Sequence, residues 1–330
     1  GHLVATGGKL AHQFHAEHVL RAAAAGKHVI VEKPLALTLA DCDRIIAAVE
    51  RAGVTLITGH THAFDPTIRA MRRLIAGGTL GRLGMIATWN YTDFLYRPRR
   101  PEELDTARGG GILFNQVPHQ LDIIRLLGGG RLKSLRAQAA VLDPARPTEG
   151  SCTAFLEFED GAAASLVYSG YDHFDSDELH FGVSEAGAPK PHARPGATRR
   201  ALAAPAAPES ERRAQRAYGA ATLAAEQPFL PHFGVTLVTC AGGDLRASAD
   251  GLLVYDDAGV HAVAVERGPS WAGHGDVLDA LIAALRQGRP SLHNARWGKA
   301  TVEAALAVLR SAQERREIAL IHQVAVPQGQ

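Results

Sequence analysis

The chain has 330 residues, 46% of them hydrophobic and 21% charged, which is enough apolar surface for about two packed domains and excludes global disorder. Its 35 basic and 34 acidic side chains leave a formal net charge of +1, so no electrostatic case exists for nucleic acid or an anionic membrane as a partner. The three cysteines, Cys42, Cys152 and Cys240, are odd in number and far apart, which excludes a disulfide framework and suits a reducing, cytoplasmic setting. No apolar run approaches a membrane span and no signal peptide is visible. The chain opens on Gly1-His2-Leu3 without methionine, as a processed chain or one lacking its first segment would.

Helix and strand alternate over the first sixty residues. "HAEHVLRAAAAGK" (15–27) is helical in composition, with Gly26 as its stop. "HVIV" (28–31) is rich in β-branched residues, the mark of a strand buried on both faces. In "TLADCDRIIAAVERAG" Thr38 can cap a helix, with Asp41 three residues on, and Leu39, Cys42, Ile45, Ile46 and Val49 share one face. After Gly53, "VTLIT" (54–58) is another apolar strand. Such alternation predicts a parallel sheet covered by helices.

The pattern changes after about His62. A helix over 66–76 leads into the strand-like "GMIATWNYTDF", and a further helix is predicted from about Ile112 to Leu127. "CTAFLEFEDGAAASLVYSG" reads as two strands joined at Asp160-Gly161, and "GLLVYDDAGVHAVAV" repeats the theme. These hairpins predict an antiparallel sheet with helices on one side. The excursion at about 186–231 is rich in Pro, Ala and Arg and lacks clean periodicity, which predicts a long surface loop or a partly disordered excursion. Two amphipathic helices close the chain, in "GDVLDALIAALRQG" and "NARWGKATVEAALAVLRSAQERR".

Three stretches carry chemistry. In "HVIVEKPLA" Lys33 lies just past a strand end, where ligands sit in parallel sheets, and Pro34 forbids the strand to continue. A plain surface lysine is the alternative. In "GGGILFNQVPHQLDIIRLLGGG" a continuous helix would put Asn115, His119 and Asp122 on one face. An imidazole with a carboxylate one turn on suits proton transfer, and Gly109, Gly110 and Gly111 would let backbone approach a ligand closely. The alternative is a solvated polar stripe. Pro118 predicts a kink or restart in either case. In "YRPRRPEELDTARGGG" Arg97, Arg99, Arg100 and Arg108 could fork onto an anionic substrate, or form a solvated loop with Glu102, Glu103 and Asp105. His12, His15 and His18 with Glu17 do not converge at helical spacing, so no metal site is expected. No G-x-G-x-x-G follows an opening strand; "ATGGK" (5–9) lacks that spacing.

With "VEKP" and "GGG…HQLD" both in view, the chain resembles the glucose–fructose oxidoreductase/inositol dehydrogenase (Gfo/Idh/MocA) family. Glu32, Lys33 and Pro34 match its E-K-P motif. Gly109, Gly110, Gly111, His119 and Asp122 match its G-G-G-x-x-x-D-x-x-x-H-x-x-D motif, with Asn115 where aspartate is usual. Within the family, "YSGYDHFDSDEL" (168–179) and the arginine stretch resemble the phthalate dihydrodiol dehydrogenase branch. The resemblance implies a truncated, Rossmann-like partial dinucleotide-binding domain over 1–62, entered near the family's fourth strand. It implies a substrate-binding and oligomerisation α+β domain, an open antiparallel sheet, over 63–330. The implied activity is NAD(P)-dependent oxidation of a polyol-like or cis-dihydrodiol hydroxyl on a ring bearing carboxylates, with NAD or NADP as cofactor and an anionic diol as small-molecule substrate. In that reading Lys33, His119 and Asp122 are catalytic. Glu32, Lys33, Pro34, Thr6 and His12 hold the cofactor, and Asn115, Arg97, Arg99, Arg108 and Tyr91 meet the substrate. The antiparallel sheet would form a homodimer or homotetramer. Because the phosphate loop is missing, a non-catalytic scaffold of the same fold is the other expectation.

Overall fold

The computed structural model describes residues 3–6, 12–190, 192, 194–204, 207–215, 227–267 and 273–327. The first region runs β1 (Leu3–Thr6), α1 (His15–Ala24), β2 (His28–Glu32), α2 (Leu39–Ala52), β3 (Leu56–Gly59) and α3 (Pro66–Gly77). Then come β4 (Leu83–Tyr91), α4 (Ile112–Asn115), α5 (Val117–Leu127), β5 (Leu132–Ala140), β6 (Ser151–Phe158) and β7 (Ala163–Ser169). The excursion holds α6 (Ala197–Ala203) and α7 (Glu209–Gln215). The last part runs β8 (Val235–Cys240), β9 (Gly243–Ala247), β10 (Gly251–Asp256), β11 (Gly259–Ala264), α8 (His274–Gln287), α9 (Ala295–Glu314) and β12 (Ile318–Ala319).

Strands β1, β2 and β3 form a parallel sheet in that order. The other nine form a second sheet, antiparallel except where β4 runs parallel to β7. This is the Rossmann-like sheet followed by a largely antiparallel α+β domain that the residues and the resemblance predict. Local chemistry behaves as read. Thr38 Oγ1 accepts from the Asp41 amide at 3.1 Å to start α2, and Gly53 ends it in the left-handed region. Gly161, also left-handed, turns β6 into β7.

Two expectations are corrected. β2 is not buried on both faces: Val29 and Val31 are buried, whereas His28, Ile30 and Glu32 are half-buried. The excursion is not structureless, since it carries α6 and α7. Polar contacts hold them more than an apolar stripe does, which is why no periodicity shows: in α6 Thr198 donates to Asp93 and Arg199 lies over the Tyr96 ring, and in α7 ion pairs serve. Arg146 forks onto Glu209 at 2.7 and 3.0 Å, and Arg213 pairs with Glu103. Residues 191, 193, 205–206 and 216–226 of that excursion lie outside the described residues.

Helix α9 is the shared wall of both sheets. Ala295 and Val302 pack into the core with Val29, Val31 and Ile45, while Ala304 and Val308 join the larger core with α5 and β5. Against it lies α5, buried on every side from Val117 to Leu127. A helix buried all round must satisfy its polar residues internally. Arg125 does so by donating to Gln323 Oε1 at 2.9 Å, the Trp297 carbonyl at 3.2 Å and Thr301 Oγ1 at 2.6 Å, with its guanidinium 3.8 Å over the Trp297 ring. Arg125→Ala is expected to cost about 3–5 kcal/mol, because it strips charge partners from a buried network. Arg296→Ala, at an exposed ion pair with Glu50, should cost less than about 1 kcal/mol. Equilibrium urea unfolding of both variants checks the contrast.

Candidate active site

Lys33 stands at the carboxyl end of β2, on the side where ligands of parallel sheets sit. Its ammonium donates to the backbone carbonyl of Asn115, the last residue of α4. Pro118 explains why that carbonyl is available. The predicted helix is broken at Gln116, and Pro118 opens α5. In an unbroken helix the His119 amide would bond to the Asn115 carbonyl. Instead it bonds to the Gln116 carbonyl at 3.0 Å, leaving the Asn115 oxygen for Lys33. The ammonium of β2 and the imidazole-bearing helix therefore meet at one break in the chain. Burial, with Arg99 nearby, lowers the Lys33 pKa to about 8 despite the opposing charges of Glu32 and Glu185.

His119 lies buried in a nest of rings. Its centroid is 4.8 Å from that of His62, nearly perpendicular, and 5.0 Å from that of Phe233. His62 is clamped. Nδ1 donates to Asp65 Oδ2 at 2.9 Å, and Nε2 faces Glu185 Oε1 at 3.3 Å. Since carboxylates only accept, both nitrogens carry protons and His62 is an imidazolium. Burial opposes that charge, but Asp65 and Glu185 outweigh it and raise the pKa to about 10. Burial likewise opposes ionisation of Glu185, yet His62 and Arg97 hold its carboxyl down at about 2.

The polar face predicted for a single helix is divided. The Asn115 side chain turns back to donate to the Gly111 carbonyl at 2.7 Å, because the break ends its helix. Asp122, one turn on from His119 in α5, is turned towards α9, where Trp297 Nε1 and His293 Nε2 donate to it at 2.5 and 3.0 Å. Burial alone would raise its pKa; His60, His293 and Arg125 instead hold it well below the usual carboxylate range. No polar stripe of α5 is solvated. The glycines before α4 approach protein: a Cβ on Gly110 would lie 2.6 Å from the Glu103 carbonyl oxygen, and one on Gly111 2.2 Å from Thr148 Oγ1.

The remaining predicted residues separate into two groups. His12 Nδ1 donates to the Gly109 carbonyl at 2.9 Å, and burial, with Lys33 and His15, lowers its pKa to about 3, so it is a neutral imidazole beside Lys33. Glu32 and Pro34 flank Lys33, and His15 donates to the Pro34 carbonyl at 2.8 Å. Thr6 ends β1 in register with Val31. Arg99 is nearly buried, 3.8 Å over the Phe94 ring, with its Nε–H lacking a partner among the described residues. Arg97 donates to Asp93 at 2.7 Å. Arg108 is exposed on a turn, and Tyr91 packs edge-on to Phe174 at the end of β4, 5.6 Å between centroids. Sequence reading missed His15, His62, Glu185 and Phe233. Only "HTHAFDP" offered a signal, a histidine three residues before an aspartate.

These residues gather at the carboxyl end of the parallel sheet, where dinucleotides bind in folds of this kind. Beside the Lys33 end of β2, the His60 ring nitrogens and the Thr58 hydroxyl are buried without hydrogen-bond partners among the described residues. Among the described residues no cluster of three or more metal-ligating side chains occurs.

Fold and site define an NAD(P)-dependent oxidoreductase. Residues 3–60 match the profile described as oxidoreductase family, NAD-binding Rossmann fold, and residues 68–185 match that of the GFO/IDH/MocA C-terminal domain. The chain is 41% identical over 304 residues to the 1-carboxy-3-chloro-3,4-dihydroxycyclohexa-1,5-diene dehydrogenase of Comamonas testosteroni, covering 90% of this chain and 76% of that one. A crystal structure of a presumed dehydrogenase from Bordetella bronchiseptica RB50 superposes with a TM-score of 0.90 at 49% identity, covering 96% of this chain and 81% of that one. Levoglucosan dehydrogenase, in complex with NADH and levoglucosan, shares the fold at a TM-score of 0.71 and 17% identity, covering 97% and 80%. The chain belongs to the Gfo/Idh/MocA family.

The His62 clamp has a pH signature. A raised folded-state pKa contributes stability that is complete below the unfolded value of about 6.5 and lost as pH rises through about 10. The stability gap between wild type and His62→Gln is therefore expected to be on the order of a few kcal/mol at pH 6 and to close towards pH 10.5. Urea unfolding at several pH values measures it; a gap independent of pH would contradict the clamp.

Proposed function

We propose that this protein oxidises a hydroxyl of a polyol-like or cis-dihydrodiol ring that bears a carboxylate, as in the phthalate dihydrodiol branch of its family. The observation that carries the reading is the docking of Lys33 at the α4/α5 break, one turn before His119. NAD or NADP, when bound, supplies the hydride acceptor, held by Glu32, Lys33, Pro34, His12 and Thr6.

In this reading His119 takes the hydroxyl proton as hydride departs, and the Lys33 ammonium stabilises the developing alkoxide. Asp122 is a positioning residue. By holding α9 through His293 and Trp297 it fixes the rotation of α5, and with it the direction of His119. Arg99, with a buried N–H unsatisfied among the described residues, is the anchor for a substrate carboxylate; Arg97 supports it through charge, and Tyr91 and Asn115 border the cleft. Arg108 would join only by a movement of its exposed turn. The likeness to a relative named for a carboxylated dihydroxycyclohexadiene supports this substrate class. The open face of the larger sheet carries exposed Met85, Trp89 and Phe155 side by side across β4, β7 and β6, which supports a homo-oligomer through that face.

A carboxylated cis-dihydrodiol should reduce NAD or NADP, followed at 340 nm. Lys33→Ala and His119→Ala should each lower kcat by about 10²–10⁴-fold with unfolding midpoints close to wild type. Near-normal rates in both folded variants would overturn the roles.

A further inference from the structure

We propose that Glu185 is the residue that selects vicinal diols: it accepts a hydrogen bond from the hydroxyl adjoining the one that His119 deprotonates. The inference rests on the function proposed above and adds a substrate contact to it.

Glu185 sits in a turn outside every stretch singled out in the sequence, yet its carboxylate reaches His62. One oxygen is taken by His62 Nε2 at 3.3 Å, and His62 lies edge-on to His119. Lys33 and Arg97 both register its charge. The His62 side chain retains 15% of its exposure, whereas that of Glu185 retains 40%, so Glu185 is the more open member of the pair, and its second carboxylate oxygen is not the one that faces His62. The turn is held in place. The Gly187 amide donates to the Ser184 carbonyl at 2.7 Å, the Ser184 amide to the Ala188 carbonyl at 2.8 Å, and the His232 amide to the Glu185 carbonyl at 3.1 Å. Gly187 is left-handed, and a Cβ there would meet the Phe229 carbonyl oxygen at 2.2 Å. A side chain carried on such a turn and clamped at its tip is preorganised.

The chemistry then narrows what can meet it. An ionised carboxylate has no proton to donate, so its free oxygen takes a donor. A substrate carboxylate would be repelled there and favours Arg99. A hydroxyl is the donor that a dihydrodiol offers next to its reacting carbon. The site is thus polarised, with a cation for the acid end of the ring and an anion for the second hydroxyl.

Titration calorimetry on this chain, with NADH present, tests the idea using cis-3,4-dihydroxycyclohex-1-ene-1-carboxylate and its two mono-hydroxy analogues. Wild type should bind the diol about tenfold or more tightly than either mono-ol, the size of one charge-assisted hydrogen bond. Glu185→Ala should erase the preference over the mono-ol that lacks the adjoining hydroxyl, and Glu185→Gln should reduce it. Removing a negative charge strengthens binding of all three carboxylates together, and a merely structural role also moves all three together, so the diol-to-mono-ol ratio is specific to the contact. Glu185→Gln decides if Glu185→Ala does not fold. A wild-type ratio kept in the folded variants overturns the inference alone, as does a wild type that binds the ligands equally. A wild type that binds none of them overturns it together with the proposed function.

Discussion

The contact on which the site depends is the Lys33 ammonium against the Asn115 carbonyl. A half-buried ammonium needs acceptors, and a strand end offers few. The chain provides one by interrupting a helix. Pro118 has no N–H, so the ladder cannot run through it, and the amide of His119 settles on Gln116 instead. A carbonyl normally consumed inside a helix thereby becomes a ligand for a side chain from the other sheet. The same break sets where α5 begins, and hence how His119 is presented. Moving the proline by one residue would alter both groups at once.

Around that break α5 carries charge where most buried helices carry none. Asp122 and Arg125 are buried on it, and burying charge is unfavourable unless it is paired. The partners come from far along the chain. Asp122 is met by His293 and Trp297, Arg125 by Thr301, Gln323 and the Trp297 ring. These contacts contribute specificity more than net stability. Asp122 and His119 lie on adjacent faces of one helix, so fixing the carboxylate against α9 leaves the imidazole one direction, towards His62 and Phe233. An apolar α5 would pack equally well in several rotations.

Much of this was legible in the residues, and the boundary has a physical cause. Helix caps, hairpin turns and the lysine at a strand end are local events, set by a few neighbours, and Thr38, Gly53, Gly161 and Pro118 announce them. The interruption at Pro118 was foreseen; that it releases the Asn115 oxygen to Lys33 was not, because the acceptor and donor are 82 residues apart. The excursion hid α6 and α7 because the polar contacts that hold them leave no periodic trace. Glu185 hid for a different reason: a lone acidic residue in a turn has the appearance of any solvated surface carboxylate, and only the fold brings it to His62.

The charge layout of the cleft bears on what it admits. Lys33, His62, Arg97 and Arg99 would together make a field hostile to a neutral diol and favourable to any phosphate or polycarboxylate. The fold spends most of that field internally. Asp65 and Glu185 hold His62, Asp93 holds Arg97, and Glu103 draws on Arg99. What remains unspent is directional rather than large: the Nε–H of Arg99, without a partner among the described residues, and the Lys33 ammonium shared with one neutral carbonyl. A site neutralised in this way does not reward accumulated negative charge. On the function proposed here, it favours a ligand that places one carboxylate at the guanidinium and a hydroxyl at the ammonium, which is the polarity of a small ring acid carrying alcohols on its far side.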